Sequence, residues 1–127
     1  MPVSDLRAML SGMAPVLDVR RWGFVLIEAS PPADAFALIR EDEGTTAIVP
    51  DAGGDFARIT LTVHSALDGV GLTAAVAGAL AERGIACNVV AGFHHDHLFV
   101  PWARAKEALR TLAVLSKGVA VGGGPSA

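Results

Sequence analysis

Residues 58–101 change hydrophobic period twice, and this change constrains the fold more than any other feature of the sequence. Apolar and polar residues alternate from Ile59 to Val63, which predicts a half-buried strand. From Leu72 the apolar residues recur every three or four positions, which predicts a helix that ends near Gly84. The chain therefore passes from a strand, through a short polar turn, into a helix.

Two short strands and a second helix are predicted after that helix. The β-branched runs at 85–91 and 97–100 read as strands, which residues 92–96 join as a hairpin. Pro101 suits the first position of a helix that closes at Lys117 and Gly118. This order provides five of the six elements of a ferredoxin-like unit. The sixth element is a strand, which comes either from residues 119–121 or by strand exchange with the N-terminal half.

The N-terminal half follows a less regular pattern. Leu6, Met9 and Leu10 predict a short helix after Ser4 or Asp5, and residues 22–28 predict a strand. Two further runs, 36–40 and 45–49, pair naturally across an acidic turn. We therefore expect an irregular unit at 1–54, a regular one at 55–117 and a disordered tail at 118–127.

The turn before the first predicted helix of the regular unit carries the clearest chemical signal. It contains Asp68, Gly69, Val70 and Gly71, and the helix opens at Leu72. Helix starts leave backbone N–H groups without partners, so a glycine-lined approach suits a carboxylate or phosphate. Alternatively, Asp68 only caps the helix and the glycines only supply a positive φ.

A dinucleotide site is excluded, although residues 69–74 match G-x-G-x-x-A. The first glycine of that fingerprint should follow its strand directly, whereas residues 65–68 intervene. The next predicted strand also ends near Val90 without an acidic residue for a ribose.

The predicted hairpin tip contains His94, His95, Asp96 and His97. Imidazole and carboxylate groups are common zinc ligands, so His94, His95 and His97 form an alternative metal site. Adjacent ligands rarely converge on one ion, and beyond the hairpin only His64 stands out as a further ligand. We therefore favour a polar hairpin tip without metal, in which His97 packs at a subunit interface.

The segments 71–74, 85–92 and 93–101 resemble the ACT domain, the ligand-binding regulatory unit of aspartate kinases. The whole chain resembles small bacterial tandem-ACT proteins and, more distantly, the CASTOR family of arginine sensors. The resemblance implies an α+β fold of two ferredoxin-like units packed side by side, with antiparallel sheets backed by helices. It also implies a regulatory sensor that binds an amino acid or related carboxylate between the units, and a homodimer.

The resemblance further implies which residues bind the ligand. The set is Asp68, Gly69, Val70, Gly71, Leu72, Gly92, Phe93 and Asp96. The Phe-x-x-Asp-His motif of the sensors falls on Phe93, Asp96 and His97, which makes Asp96 the candidate for a ligand amine or cationic side chain. Gly69 stands where the arginine sensors carry an acidic residue, so arginine specificity does not carry over.

Composition narrows the remaining classes. A net charge of −3 without a basic cluster argues against nucleic acid and anionic membranes as main partners. No apolar stretch is long enough for a bilayer, and the first residues do not form a signal peptide. A single cysteine, Cys87, suits a reducing cytosol, so we expect a cytoplasmic protein.

An enzyme is not expected. Cys87 has no adjacent base held by a third group, and the two polar loops contain only Asp68 and Asp96 as carboxylates. The sequence thus predicts a binding protein without a cofactor. The other alternative is an assembly module that binds a protein partner and no ligand.

Overall fold

The computed structural model describes residues 5–64 and 69–120, with the backbone alone at 119 and 120. Three helices and seven strands follow in chain order, with a 3-10 turn, Trp102–Arg104, before the last helix. They are α1 (Leu6–Ser11), β1 (Pro15–Leu17), β2 (Trp22–Ile27), β3 (Ala37–Glu41), β4 (Gly44–Pro50), β5 (Phe56–Leu61), α2 (Leu72–Glu82), β6 (Asn88–Ala91), β7 (Asp96–Pro101) and α3 (Ala105–Ala120).

The described strands form one antiparallel sheet in the order β3-β4-β2-β5-β7-β6, and β1 also pairs with β5. β7 pairs with β5 along its whole length, while β1 pairs with residues 59–61 and Trp22 of β2 pairs with Phe56. The predicted α+β architecture of antiparallel strands and helices is confirmed.

β1 is the sixth element of the C-terminal unit and its fourth strand. The order β1-β5-β7-β6, combined with α2 and α3, completes a ferredoxin-like arrangement. Strand exchange with the N-terminal half is therefore the correct alternative. A strand that begins at Val119 is wrong, because residues 119 and 120 belong to α3. For the same reason the helix does not end at Lys117, and the predicted disordered tail does not begin at Gly118.

The predicted ends of α1 and α2 are confirmed by their capping contacts. The Asp5 carboxylate accepts a hydrogen bond from the Arg7 N–H at 3.1 Å and caps α1. Gly84 follows α2 with a φ of +68°, and the Ile85 N–H donates to the Leu80 carbonyl.

Two predicted boundaries are wrong. The strand expected at 85–91 begins only at Asn88, because Ile85 completes the cap of α2 and is buried in the core. Pro101 is the last residue of β7 and does not open α3, which begins at Ala105. The Trp102 N–H donates to the Asp55 carbonyl at 2.8 Å, so the chain stays on the sheet through this turn.

The main core lies between the helices and one face of the sheet. Alternate residues of β5 and β7 point into it, as the pleat requires. Its buried members include Ile59, Leu61, Leu98 and Val100 from the strands and Met9, Val76, Leu80, Ala108 and Leu112 from the helices. Helical spacing thus supplies one side of the core and strand alternation the other.

A second, aromatic core lies on the opposite face. Trp22, Ile48 and Phe99 are fully buried there, and Phe36 packs against them. The Phe36 ring centroid lies 5.7 Å from that of Trp22 and 5.8 Å from that of Phe99, in edge-to-face geometry. Because Trp22 belongs to β2 and Phe99 to β7, this core joins the two halves of the chain.

A charged pair completes the aromatic core. Arg58 Nη2 donates to Asp18 Oδ2 at 2.9 Å, and both side chains are only 16% exposed. The guanidinium carbon lies 4.7 Å from the ring centroid of Trp22 and 4.6 Å from that of Phe36. Hydrogen bonds from Arg20, together with the charge of Arg58, lower the pKa of Asp18 to about 2.

Asp18→Asn tests this pair. Because the folded pKa is lowered from 3.8 to about 2, Asp18 stabilises the fold above pH 3.8, and this contribution is lost as pH falls through about 2. We expect the variant to lose about 1 to 3 kcal/mol of unfolding free energy at pH 7. Urea unfolding from pH 7 to pH 2 should show this difference shrink at acid pH. The exposed Asp42→Asn is the control, and an equal loss at both pH limits contradicts the assignment.

A substitution at Gly54 tests how closely the chain before β5 must approach β2. A Cβ at this position would lie 2.2 Å from the Trp22 carbonyl oxygen, a backbone atom that cannot turn aside. Gly54→Ala should therefore cost about 2 kcal/mol or more of unfolding free energy. Gly53→Ala is the matched control, because its Cβ would meet only Asp51 Oδ1, at 3.8 Å. Equal melting temperatures for the two variants would show that the strands can separate at little cost.

Candidate functional site

The register of the sheet brings the predicted turn and hairpin to the same end of the molecule. Leu61, at the end of β5, is the pairing partner of Asp96, at the start of β7. The chain leaves β5 towards the turn before α2, and the hairpin between β6 and β7 enters at Asp96. The turn and the hairpin therefore lie at the same end of the paired strands β5 and β7.

Gly71 has the positive φ that the alternative, purely structural interpretation of the turn predicts. Gly71 has a φ of +101°, a left-handed conformation that favours glycine, and lies directly before Leu72. Glycine has no side chain that could cap α2. Its backbone carbonyl accepts a hydrogen bond from the Ala75 N–H at 2.9 Å, which joins Gly71 to the first turn of α2. Asp68 lies outside the described residues.

The neighbours of Gly71 show which groups a ligand could contact. Leu72 is buried, so it can offer a ligand only its backbone, whereas Val70 is almost fully exposed. A Cβ at Gly71 would lie 3.0 Å from Leu6 Cδ2 of α1. The left-handed backbone conformation favours glycine here whether or not a ligand binds, whereas a small shift of the flexible Leu6 side chain would relieve the contact.

The hairpin tip is a tight turn. The Gly92 N–H donates to the His95 carbonyl at 2.9 Å, and a Cβ at Gly92 would lie 3.0 Å from that oxygen. Phe93, between them in the chain, is largely exposed. Phe93 is therefore available for contact, while Gly92 shapes the turn.

Asp96 and His97 lie on opposite faces of the sheet. Asp96 pairs with Leu61 and shares the helix-facing side with it. His97 pairs with Thr60 on the aromatic side, where its Nδ1 lies 2.9 Å from the Thr60 Oγ1 and its ring packs on Phe36 at 4.8 Å. Burial, with the nearby charge of Arg58, lowers the pKa of His97. His97 thus makes its polar and ring contacts with Thr60 and Phe36 of its own chain.

The histidines of the alternative zinc site, His94, His95 and His97, do not converge in the described part of the chain. Within residues 5–64 and 69–120, no group of three His, Cys, Asp or Glu side chains is placed to hold a metal ion. His94 and His95 stand 6.3 Å apart between ring centroids, and His97 is turned to the aromatic face.

His64 is the residue of this region that the sequence analysis undervalued. It follows β5, and its ring centroid lies 5.3 Å from that of His94. Its Nε2 atom is buried and has no hydrogen-bond partner among the described residues. A buried polar atom normally has a partner, so this atom marks an incomplete contact. In the sequence, only the position of His64 just after a predicted strand could have indicated that it lies near the hairpin.

Cys87 is poorly suited to nucleophilic chemistry. Cys87 is half-buried and packs against the main core, and burial raises the pKa of its thiol. A protonated thiol is a poor nucleophile.

Among the helices in the described part of the chain, none combines the length and the apolar character of a membrane span.

Solved structures resemble this fold. A Vibrio cholerae protein of unknown function, described as a possible transport protein, is 39% identical and has a TM-score of 0.71 over 84% of this chain and 92% of its own. The ligand-free regulatory subunit of aspartate kinase from Thermus thermophilus is 13% identical, with a TM-score of 0.62 over 82% and 97%. An Agrobacterium tumefaciens protein is 20% identical, with a TM-score of 0.59 over 75% and 81%. No protein with a curated description matches the chain.

Two family models match the sequence, and both describe the ACT domain. One covers residues 2–65 and the other residues 57–113, so they overlap in β5 and together span both halves. The overlap agrees with the sheet, in which β5 carries strands of both halves on its edges. On this evidence the chain belongs to the ACT-domain family, whose units are regulatory and ligand-binding.

Proposed function

We propose that this protein is a cytoplasmic sensor that binds a small amino acid or related carboxylate between the turn before α2 and the β6–β7 hairpin. The observation that carries the proposal is the buried Nε2 of His64, which has no hydrogen-bond partner in the part of the chain that the structure describes. It belongs to the segment that leads into the turn, and its ring faces His94 of the hairpin. A ligand between the two segments would supply the missing hydrogen bond.

The start of α2 supports binding of the carboxylate. α2 is 11 residues long and begins after Gly71. Because glycine has no side chain, no side-chain oxygen at this position caps the first N–H groups of the helix. These groups carry the partial positive charge of the helix dipole. A carboxylate near Gly69, Val70 and Gly71 would accept their hydrogen bonds. Asp68 belongs to the same proposed site.

Asp96 supports binding of the amine. It lies at the same end of the sheet as the turn, on the helix-facing side that it shares with Leu61. A helix start that attracts anions and a carboxylate that attracts cations would together accommodate the two opposite charges of an amino acid. Phe93 is exposed beside them and would cover an apolar side chain.

Occupancy can regulate only through a difference in affinity between two states of the protein. The proposed ligand would contact both the turn that follows β5 and the hairpin that precedes β7. Binding would therefore favour the state in which the turn and the hairpin are close. The similarity in fold to a regulatory subunit of aspartate kinase supports a signal passed to a protein partner or to the oligomeric state. The proposal assigns no reaction and no cofactor to the chain.

A thermal-shift screen of amino acids and 2-oxo acids tests this function. A ligand that binds only the native state adds about 2.7 kcal/mol to the unfolding free energy at a hundredfold excess over its Kd. With the best ligand, Asp96→Asn should weaken binding about tenfold to a hundredfold by calorimetry, since it removes a charge-assisted contact. His64→Phe should also weaken it, because it removes the unpartnered nitrogen.

The control for these variants is Asp42→Asn, an exposed carboxylate in the β3–β4 turn. It should bind the ligand as tightly as the wild type does. A screen without any stabilising ligand would favour the ligand-free assembly module. Unchanged affinity in both site variants would place the ligand elsewhere.

We also propose a homodimer, on the basis of an exposed apolar row across the N-terminal strands. Leu26 is 67% exposed and Ile39 is 41% exposed, and both pair with Thr46 from opposite sides. Phe24 extends the row along β2 and is also exposed. Exposed apolar side chains grouped on one face of a sheet in this way are typical of a protein–protein interface.

Leu26→Ser should shift this dimer towards the monomer. The loss of apolar contact at two symmetric positions should weaken association by about tenfold or more. Light scattering across a micromolar concentration series measures the change. Val19→Ser is the matched control, because Val19 is 89% exposed but lies outside the row. A wild-type protein that is monomeric at high micromolar concentration would contradict the proposal.

A further inference from the structure

A groove of about 340 Å³ lies between the end of α2 and the outer face of α3. Its lining residues are Arg83, Glu107, Arg110, Thr111 and Val114. The four residues from α3 follow helical spacing, so they form one stripe that faces Arg83 at the end of α2. We call this cavity the α2–α3 groove. The proposed amino-acid site lies at the other end of α2, about 16 Å away along the helix.

Arg104 fixes the wall of the groove. Its Nη2 donates to the Arg83 carbonyl at 2.9 Å, and its Nε donates to Glu107 Oε1 at 2.9 Å. One guanidinium therefore ties the C-terminal end of α2 to the first turn of α3. The same contact occupies the Glu107 carboxylate, which is the acidic residue in the lining.

The other two arginines of the groove have no such partners. Neither the Arg83 nor the Arg110 guanidinium makes a hydrogen bond or an ion pair within the described part of the chain. The hydrogen bond from Arg104 lowers the pKa of the Glu107 carboxyl, and the nearby charges of Arg83 and Arg110 lower it further. Three guanidinium groups thus lie near one carboxylate, and the groove is positively charged on a chain whose net charge is −3.

We propose that the α2–α3 groove binds a small organic anion with a carboxylate or phosphate group. Guanidinium groups present paired N–H donors that match the oxygens of these anions. The exposed Val114 side chain at one side of the groove would contact a short apolar part of the ligand. The volume lies at the lower end of the range for small-molecule pockets, so the ligand has few heavy atoms.

The assignment predicts opposite effects for two kinds of variant. Arg83→Gln combined with Arg110→Gln removes the two free donors, and binding of an anion should weaken about tenfold. Glu107→Gln removes the opposing charge and should tighten binding about twofold to fivefold. A groove without anion affinity would show neither trend. Arg40→Gln is the control, since Arg40 is an exposed arginine on β3, away from the groove.

Inorganic phosphate and malonate are the probes, titrated in separate experiments at low ionic strength, where charge is least screened. The Nε–H resonances of Arg83 and Arg110 in the NMR spectrum report binding directly. The Gly71 and Gly92 amides report the proposed amino-acid site, so binding there is distinguished. We expect saturable shifts of both arginines with a Kd of about 1 mM. The stronger of the two probes identifies phosphate or dicarboxylate as the favoured chemistry.

Three results would overturn the proposal. The first is the absence of saturable arginine shifts with either probe. The second is equal affinity for the wild type and the double arginine variant. The third is a loss of affinity in Arg40→Gln as large as in the double variant, which would show that the anion responds only to total charge. Each of these leaves the amino-acid site untouched, because its own reporters are the glycine amides.

Discussion

The structure depends on the fact that both edges of β5 are occupied. β7 pairs along one edge, and β1 with the start of β2 pairs along the other. The C-terminal unit therefore has its fourth strand only because the N-terminal segment supplies it. Backbone groups at an open sheet edge would otherwise remain unpaired, so the two halves form a single sheet.

The two faces of this sheet hold the chain together in different ways. Helices cover one face and form an aliphatic core, where area removed from water is the main stabilising term. On the other face, Arg58 lies between Trp22 and Phe36 and pairs with Asp18. The Nε–H groups of Arg58 and Trp22 are buried there and have no hydrogen-bond partners within residues 5–64 and 69–120, so contact with aromatic rings and the Asp18 pair must offset their desolvation.

α2 connects the two proposed binding regions. Its N-terminal end belongs to the proposed amino-acid site, together with the His64 nitrogen that has no hydrogen-bond partner among the described residues. Its C-terminal end is tied to α3 by Arg104 and borders the basic groove. Ligands at the two ends would contact the same rigid helix without competing for the same residues.

Local pattern alone determined most of the elements. Alternation predicted β5, helical spacing predicted α2, and Gly84 marked its end, because each signal depends only on residues close in sequence. The same reasoning identified the turn and the hairpin, since glycine and polar residues break periodicity. Whether a ligand binds there is not a property of the pattern.

Tertiary structure decided the features that depend on distant partners. β1 is only three residues long, so its strand character comes from the open edge of β5 and not from its own propensity. The sequence contains no basic cluster, yet the packing of α2 against α3 brings Arg83 beside Arg110. His64 and His94 meet for the same reason, because side chains far apart in the chain become neighbours only when sheet register and helix packing place them together.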